Sequence, residues 1–410
     1  MGRAKREMEE EEAKQARVYD TGGVAGKSVC VSHFRNRWLK SWMKKHTYAG
    51  ICSYCGESGK VVDMVELMEY VCGRIVRYMG PMENEALFCT SSFVDKDDPT
   101  LPPGTRDENG LLVPDDVKKY ESAGELTDVF GLITDNDTLN EDIENCFLID
   151  NWIRRDPFGL RLGDALRYSW EDFSRKIKSV FPDPSAVSVE TIENALTTKP
   201  FQQFEYDLMT PIVLSEAIAG CLKLAKRCKT RTEVFRCRPD DKGIVYTEFK
   251  DLTAAPSPYA KANRLSLAGD SVFYGSFDAK TPVDEVLNYC HGKTKPTISL
   301  GKFVTTKGLT LIDLTDIPKP DFWMPDDNWE VFRFLIAFHE EITKPIDQQN
   351  QLLEYIPTQA FSLELRKLAK AHNIDGLIYR SSKTSKNNVC LFYNNVSSAS
   401  VLSLVESFKY

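Results

Sequence analysis

The chain has 410 residues, with 52 Lys+Arg against 60 Asp+Glu for a formal charge of −8, and 42% of its residues are hydrophobic. That apolar content excludes a disordered chain, and at about 100–200 residues per domain the length predicts two or three domains. Net acidity argues against a generic coater of duplex DNA, which needs a basic excess to displace counterions. The charge is unevenly spread. Residues 21–56 hold six Lys/Arg and no acid, whereas residues 94–151 hold sixteen acids against four bases, a local charge of −12.

Met1 to Arg17 is a run of Lys, Arg and Glu without an apolar core, so no signal peptide is expected, and no window reaches eighteen apolar residues. A soluble, cytoplasmic protein is the expectation. Arg6 stands where a myristoylation signal wants Ser or Thr, so no lipid anchor is expected. Eleven cysteines on a long chain without an export signal predict metal ligation or free thiols before a disulfide framework.

In chain order, residues 1–20 read as a charged tail. Cys30-Val-Ser-His33 and Cys52-Ser-Tyr-Cys55 then form two ligand pairs separated by eighteen residues, a spacing that lets two turns offer four ligands to one tetrahedral Zn²⁺. Four such ligands close the shell, so the expectation over residues 21–58 is a structural zinc knuckle. Gly56 follows the second pair, where a ligand-bearing turn favours positive φ. Phe34, Trp38 and Trp42 are interleaved with Lys27, Arg35, Arg37, Lys40, Lys44 and Lys45. That pattern suits either a grip on nucleic acid or, as the favoured reading, a small core with cations that balance zinc thiolates.

Residues 59–230 read as a helical domain with an acidic insertion. Val62, Val65, Leu67, Met68, Val71, Ile75, Val76 and Met79 set out an amphipathic helix, further helices are expected at 160–180 and 208–228, and 95–110 reads as loop. From a boundary at Arg231 to residue 410, short β-type runs (234–237, 271–276, 310–314, 375–379) alternate with helical patterns (282–289, 329–341, 358–370). This predicts a compact α/β or α+β domain. Thr281-Pro282 reads as N-cap and N1, which puts Glu285 near a helix N-terminus, and Thr358 reads as a second N-cap.

Arg236, Arg264, Tyr274 and Glu285 fall within about fifty residues around a strand, a turn and a helix start. Two arginines suit bidentate contact with a pyrophosphate, a tyrosine suits stacking on a flat ring, and a carboxylate suits a developing cation. The order Phe-Arg236, Arg264, Phe-Tyr274, Glu285, Glu354-Tyr-Ile-Pro-Thr-Gln359, Asp375-Gly-Leu-Ile-Tyr-Arg-Ser381 and Val389-Cys-Leu-Phe392 resembles the RES domain family over roughly residues 232–395. The N-terminal half is similar to the HEPN/RES N-terminal domain that precedes RES in some bacterial proteins.

The resemblance implies an ADP-ribosyltransferase-like fold and an activity on NAD, by hydrolysis, by phosphorolysis or by transfer of ADP-ribose to a protein. It also implies a bacterial toxin of a toxin–antitoxin or defence system, with an antitoxin or regulatory protein as partner. Carried residue by residue, it implies catalytic roles for Glu285, Arg264, Tyr274 and Ser381 and substrate contacts from Arg236, Arg264, Tyr274 and Ser381. Around Arg264 the chain departs from the family pattern, with Asn263 before it and Ser266 two after. The HEPN label also implies an Arg…His ribonuclease pair, but His33, His46, His291, His339 and His372 all fall outside residues 59–230, so no ribonuclease is expected. Cleavage of the nicotinamide–ribose bond fits the residues, because a carboxylate stabilises its oxocarbenium-like state as in glycoside hydrolysis. The competing readings are a protein ADP-ribosyltransferase and a catalytically inactive zinc-bearing module that binds nucleic acid or a partner. The acidic stretch is a solvated face or a docking surface for a basic partner.

Overall fold

In this computed structural model the described residues are 18–88, 105–106, 111–113, 117–157, 159–197, 210–288, 296–346 and 349–410. Most of the charged tail, most of the 95–110 loop and His291 lie outside them. The chain forms two compact units, Met1–Leu160 with Asp321–Asp327, and Arg161–Pro320 with Asn328–Tyr410. No helix among the described residues is long and apolar enough to cross a membrane.

The first unit carries a three-stranded antiparallel sheet of β1 (Ser28–Cys30), β3 (Ser58–Asp63) and β2 (Tyr48–Ile51), in that spatial order. Helix α1 (Arg37–Lys45) starts where Asn36 accepts the Trp38 and Leu39 N–H groups, and α2 (Met64–Ile75) where Asp63 accepts those of Val65 and Glu66. The expected helix from residue 61 thus begins as a strand, because Val61 and Val62 pair with β1 before the Asp63 cap turns the chain. Both helices bury their apolar stripes, Leu39 and Met43 on one, Leu67, Met68, Val71 and Ile75 on the other, together with Trp152. Helix α3 (Asp137–Glu144) adds Leu139 and Ile143 to the same core.

Residues Asp321–Asp327 complete that core although their sequence neighbours on both sides belong to the other unit. Trp323 is 2% exposed, and its indole N–H donates to Phe130 O at 2.7 Å. The buried Arg74 guanidinium donates to Phe322 O at 2.9 and 2.6 Å and to Met324 O at 2.7 Å. Asn36 Nδ2 donates to Asp321 Oδ2 at 2.8 Å.

The second unit opens with α4 (Leu162–Val180) and α5 (Thr210–Leu222). Its sheet consists of β4 (Ala225–Arg227), β5 (Glu233–Asp240), β6 (Phe273–Ser276), β7 (Thr297–Thr305), β8 (Thr310–Asp313), β9 (Gly376–Arg380), β10 (Asn387–Leu391) and β11 (Leu402–Lys409). The spatial order is β11-β7-β5-β6-β10-β9-β8-β4, with β8 and β9 parallel and the other pairs antiparallel. Gly275 makes one approach possible, since a Cβ there would meet Phe235 O at 2.9 Å. Helices α6 (Lys280–Asn288), α7 (Asn328–Thr343) and α8 (Gln351–Ala371) complete the unit, an α+β architecture as expected.

The compact units part at residues 160/161, whereas the sequence pattern puts a boundary at Arg231. Trp170 of α4 packs edge-on against Phe338 of α7 with ring centroids 4.8 Å apart, and Phe338 against Phe361 of α8 at 4.7 Å. Burial of these rings draws α4 into the second unit. Helix α8 begins at Gln351, seven residues before Thr358, because Pro357 lies inside the helix. Thr358 is therefore an interior helical residue, and its hydroxyl donates to Tyr355 O and Arg264 O.

Candidate active site and candidate metal centre

Helix α6 is started by Asp278, whose Oδ1 accepts the backbone N–H groups of Lys280 and Thr281 at 3.1 and 2.9 Å. Thr281, the expected N-cap, instead donates its hydroxyl to Asp278 Oδ2 at 2.7 Å. Glu285 consequently lies in the second turn, where the helix dipole acts weakly. Its carboxylate is held by side chains instead. Ser381, buried directly after β9, donates to Glu285 Oε1 at 2.5 Å, and Asn388 on β10 donates to the same oxygen at 2.8 Å. Oε2 accepts no hydrogen bond among the described residues. Two donors thus fix one oxygen and leave the other without a hydrogen-bond partner among the described residues.

The hairpin between β9 and β10 fixes Ser381 in turn. Ser381 N donates to Lys386 O at 2.7 Å, and the Lys383 and Thr384 N–H groups reach Ser381 Oγ at 3.3 and 3.4 Å. Tyr379 pairs with Asn388 across the two strands. Burial first, then the adjacent Glu285 carboxylate, raises the Tyr379 phenol well above its usual range, while Arg264 pulls the other way. Tyr379 is therefore a neutral hydroxyl within electrostatic reach of both Glu285 and Arg264.

Arg236 on β5 donates through Nε to Thr253 O at 3.0 Å and through Nη1 to Tyr274 O at 2.9 Å, which fixes its fork. Burial lowers its pKa, yet it pairs with no carboxylate among the described residues. Tyr274 on β6 donates its hydroxyl to Ser266 Oγ at 3.1 Å, and burial holds that phenol protonated. Arg264 donates through Nη2 to Lys344 O at 2.7 Å, and its Cζ stands 5.1 Å from the centre of the Tyr355 ring. It too has no carboxylate partner among the described residues.

Of the five residues singled out from sequence, Glu285 and Ser381 touch directly. Arg236 meets Tyr274 through a backbone carbonyl, and Tyr274 reaches the Arg264 turn through Ser266. Arg264 itself touches none of the other four. Asn388 and Tyr379 escaped the sequence analysis. Asn388 stands on the same side of β10 as Cys390, but only the antiparallel register to Tyr379 reveals that this side carries Glu285.

In the first unit, the ligand atoms of Cys30, His33, Cys52 and Cys55 all lie within 4.8 Å of one another, as one metal ion requires. Cys30 Sγ is 3.7 Å from Cys55 Sγ, and Cys52 Sγ is 3.4 Å from His33 Nε2. Burial pushes the Cys52 thiol up, but the backbone N–H groups of Tyr54, Cys55 and Cys30 and the His33 ring outweigh it and hold it at about 6. Gly56 has φ +72°, as its place after the second pair predicts. A soft Cys₃His donor set of this size fits Zn²⁺ with no open position.

Residues 45–180 match the HEPN/RES N-terminal domain 1, and residues 233–409 match the RES domain. The first match begins at residue 45, so His46 lies inside it rather than outside; its ring stacks on Trp42 at 4.1 Å and bonds the Glu66 carboxylate, a packing role. No curated protein matches the chain. The crystal structure of the M. tuberculosis MbcT-MbcA toxin-antitoxin complex is similar at 11% identity with a TM-score of 0.30, over 48% of this chain and 92% of that chain. With both models matched in order, the chain carries a HEPN/RES N-terminal domain 1 ahead of a RES domain.

Proposed function

We propose that this protein consumes NAD by cleaving its nicotinamide–ribose bond, as a glycohydrolase or phosphorylase. The observation that carries the reading is the Glu285 carboxylate, anchored through Oε1 by Ser381 and Asn388, with no hydrogen bond to Oε2 among the described residues. As the C1′–N1 bond breaks, its electron pair leaves with neutral nicotinamide, and positive charge grows on the ribose. A fixed carboxylate stabilises that charge most at the transition state. The acceptor HO–X then bonds C1′ through its oxygen and releases its proton to solvent water. Arg264 and Arg236, both without carboxylate partners among the described residues, suit the pyrophosphate, with Arg236 reaching it through the part of its fork not bound to backbone. Tyr274 packs at the nicotinamide ribose in this reading, and Ser381 orients both Glu285 and substrate.

The Cys30, His33, Cys52 and Cys55 cluster is, in the same proposal, a structural Zn²⁺ site remote in sequence from the chemistry. The RES domain match over residues 233–409 supports the wider reading of a toxin restrained by an antitoxin or other regulatory protein. The test is to incubate purified protein with NAD and follow free nicotinamide. The mass of the second product, with and without phosphate, separates ADP-ribose from its phosphorylated counterpart, and a mass gain on a protein would reveal transfer. Absence of nicotinamide release with any of the three acceptors would reject the proposal.

A further inference from the structure

Arg264 sits at the tip of a closed turn. Asn263 N donates to Ser266 O at 2.7 Å and Ser266 N returns a bond to Asn263 O at 3.3 Å, so residues 263–266 form a small ring of backbone. The guanidinium at its tip donates to Lys344 O at 2.7 Å. The backbone of the ring itself is held by the interior of α8. Gln359 is 2% exposed, and its amide nitrogen donates to Asn263 O at 2.8 Å and to Ser266 O at 3.1 Å, one carbonyl at each end of the ring. Thr358, also buried, donates to the carbonyl of Arg264 itself at 2.6 Å. One turn earlier on the same helix, Tyr355 presents its ring 5.1 Å from the Arg264 guanidinium. About two turns beyond Gln359 along α8, Arg366 forms a two-pronged ion pair with Asp270, with Nη1 3.0 Å from Oδ1, and so fixes the downstream end of the same loop.

We propose that Gln359 is a positioning residue for Arg264: it holds both ends of the 263–266 ring so that the guanidinium meets the NAD pyrophosphate. The inference rests on the NAD-cleaving function above. It explains why a buried amide lies in a helix interior, where a hydrophobic residue would pack without a polar cost, since both its donors end on the loop that bears Arg264. It also explains Pro357. A proline inside a helix removes one backbone donor and bends the helix, and here it directly precedes the two residues that grip the loop.

The test is a double-mutant cycle on the full chain, with NAD affinity read by calorimetry and nicotinamide release read in parallel. Gln359→Leu removes both donors at similar volume. It is expected to weaken NAD binding about 10-fold, as Arg264→Ala does, and to raise KM more than it lowers kcat. The decisive expectation is non-additivity: Gln359→Leu made on top of Arg264→Ala weakens NAD binding no further, although it still lowers Tm. Gln359→Glu, which turns an acceptor toward the two carbonyls, should also weaken NAD binding. If the Gln359→Leu loss persists in full in the Arg264→Ala background, or if the single variant loses stability but binds NAD as the wild type does, the positioning role is wrong. Should Gln359→Leu fail to fold, Gln359→Glu carries the same cycle. A wild type that neither binds nor cleaves NAD would overturn the parent function and this inference with it, whereas a normal wild type with an additive cycle overturns only the inference.

Discussion

Lys27 Nζ lies 2.8 Å from Asp142 Oδ1 and 2.7 Å from Oδ2, a bond between the acid-free stretch beside the metal cluster and the acidic stretch a hundred residues later. The Tyr54 hydroxyl donates to the same carboxylate at 2.8 Å, and Arg35 reaches Asp135 at 2.6 Å nearby. The uneven charge along the chain is thus partly internal complementarity within one unit. The Lys27 pair is mostly buried on the aspartate side, so losing one partner should cost more than an exposed pair. Lys27→Met is expected to destabilise the protein by about 1–2 kcal/mol. A urea transition with an unchanged midpoint and slope would contradict this.

Asp135 and Asp142 already have partners, so any basic protein that docks on the acidic stretch must use its remaining carboxylates. Its association should slow as ionic strength rises, because exposed charges are screened beyond about 10 Å at 0.1 M salt. Stopped-flow association rates that do not change with salt would remove the acidic stretch as the docking surface.

The metal cluster predicts about one zinc per chain by elemental analysis. Chelation, or Cys52→Ser, should lower the melting temperature of the first unit, because the energy of metal binding is folding energy. Protein free of zinc with unchanged stability would rule the site out.

Glu285→Gln keeps an oxygen that can still accept from Ser381 and Asn388, so the local fold should survive while the charge is lost. Nicotinamide release is expected to fall about 100–1000-fold with little change in NAD affinity. Ser381→Ala and Asn388→Leu each remove one bond to a charged acceptor, worth about 1.5–3 kcal/mol, and should slow release about 10–100-fold. Release at the wild-type rate from Glu285→Gln would reduce the RES match to a statement about fold.

His339 on α7 is buried, and burial first, then Arg380, lowers its pKa to about 4; Asp313 opposes the shift weakly. Its Nε2 accepts the Arg380 N–H at 3.3 Å, which requires the neutral ring. The unfolded chain therefore binds the extra proton first. Stability from this group is complete above about pH 6.5 and is lost as pH falls toward about 4, by up to about 1.4 kcal/mol per pH unit. His339→Gln, which retains an acceptor, should flatten that slope. An identical slope in the variant would assign the acid sensitivity elsewhere.

Much of the fold is legible in the sequence because each element carries its own local signal. The short β-type runs at 234–237, 310–314 and 375–379 all lie in or beside strands, and the Cys/His spacing foretells a cluster that folding does assemble. What escaped depends on pairings between distant segments. Asn388 is an ordinary strand residue until the Tyr379 register brings it to Glu285. Pro357 reads as a helix start by local rules, yet packing of Tyr355 through Phe361 carries the helix through it. The parting at residues 160/161 depends on aromatic contacts of Trp170 with rings more than 160 positions away.

The Asp321–Asp327 segment gives the molecule a schedule. A chain is made from its N-terminus at about 5–20 residues per second. The first unit therefore emerges with Met1–Leu160 but must wait for Trp323, roughly 10–30 seconds of synthesis at that pace, before its core can close. By then the strands through Thr310–Asp313, with Arg236, Arg264, Tyr274 and Glu285, have already been made, while Ser381 and Asn388 have not. The accessory unit and the carboxylate site thus reach completion close together in time, because both donors that fix Glu285 follow Trp323 in the chain.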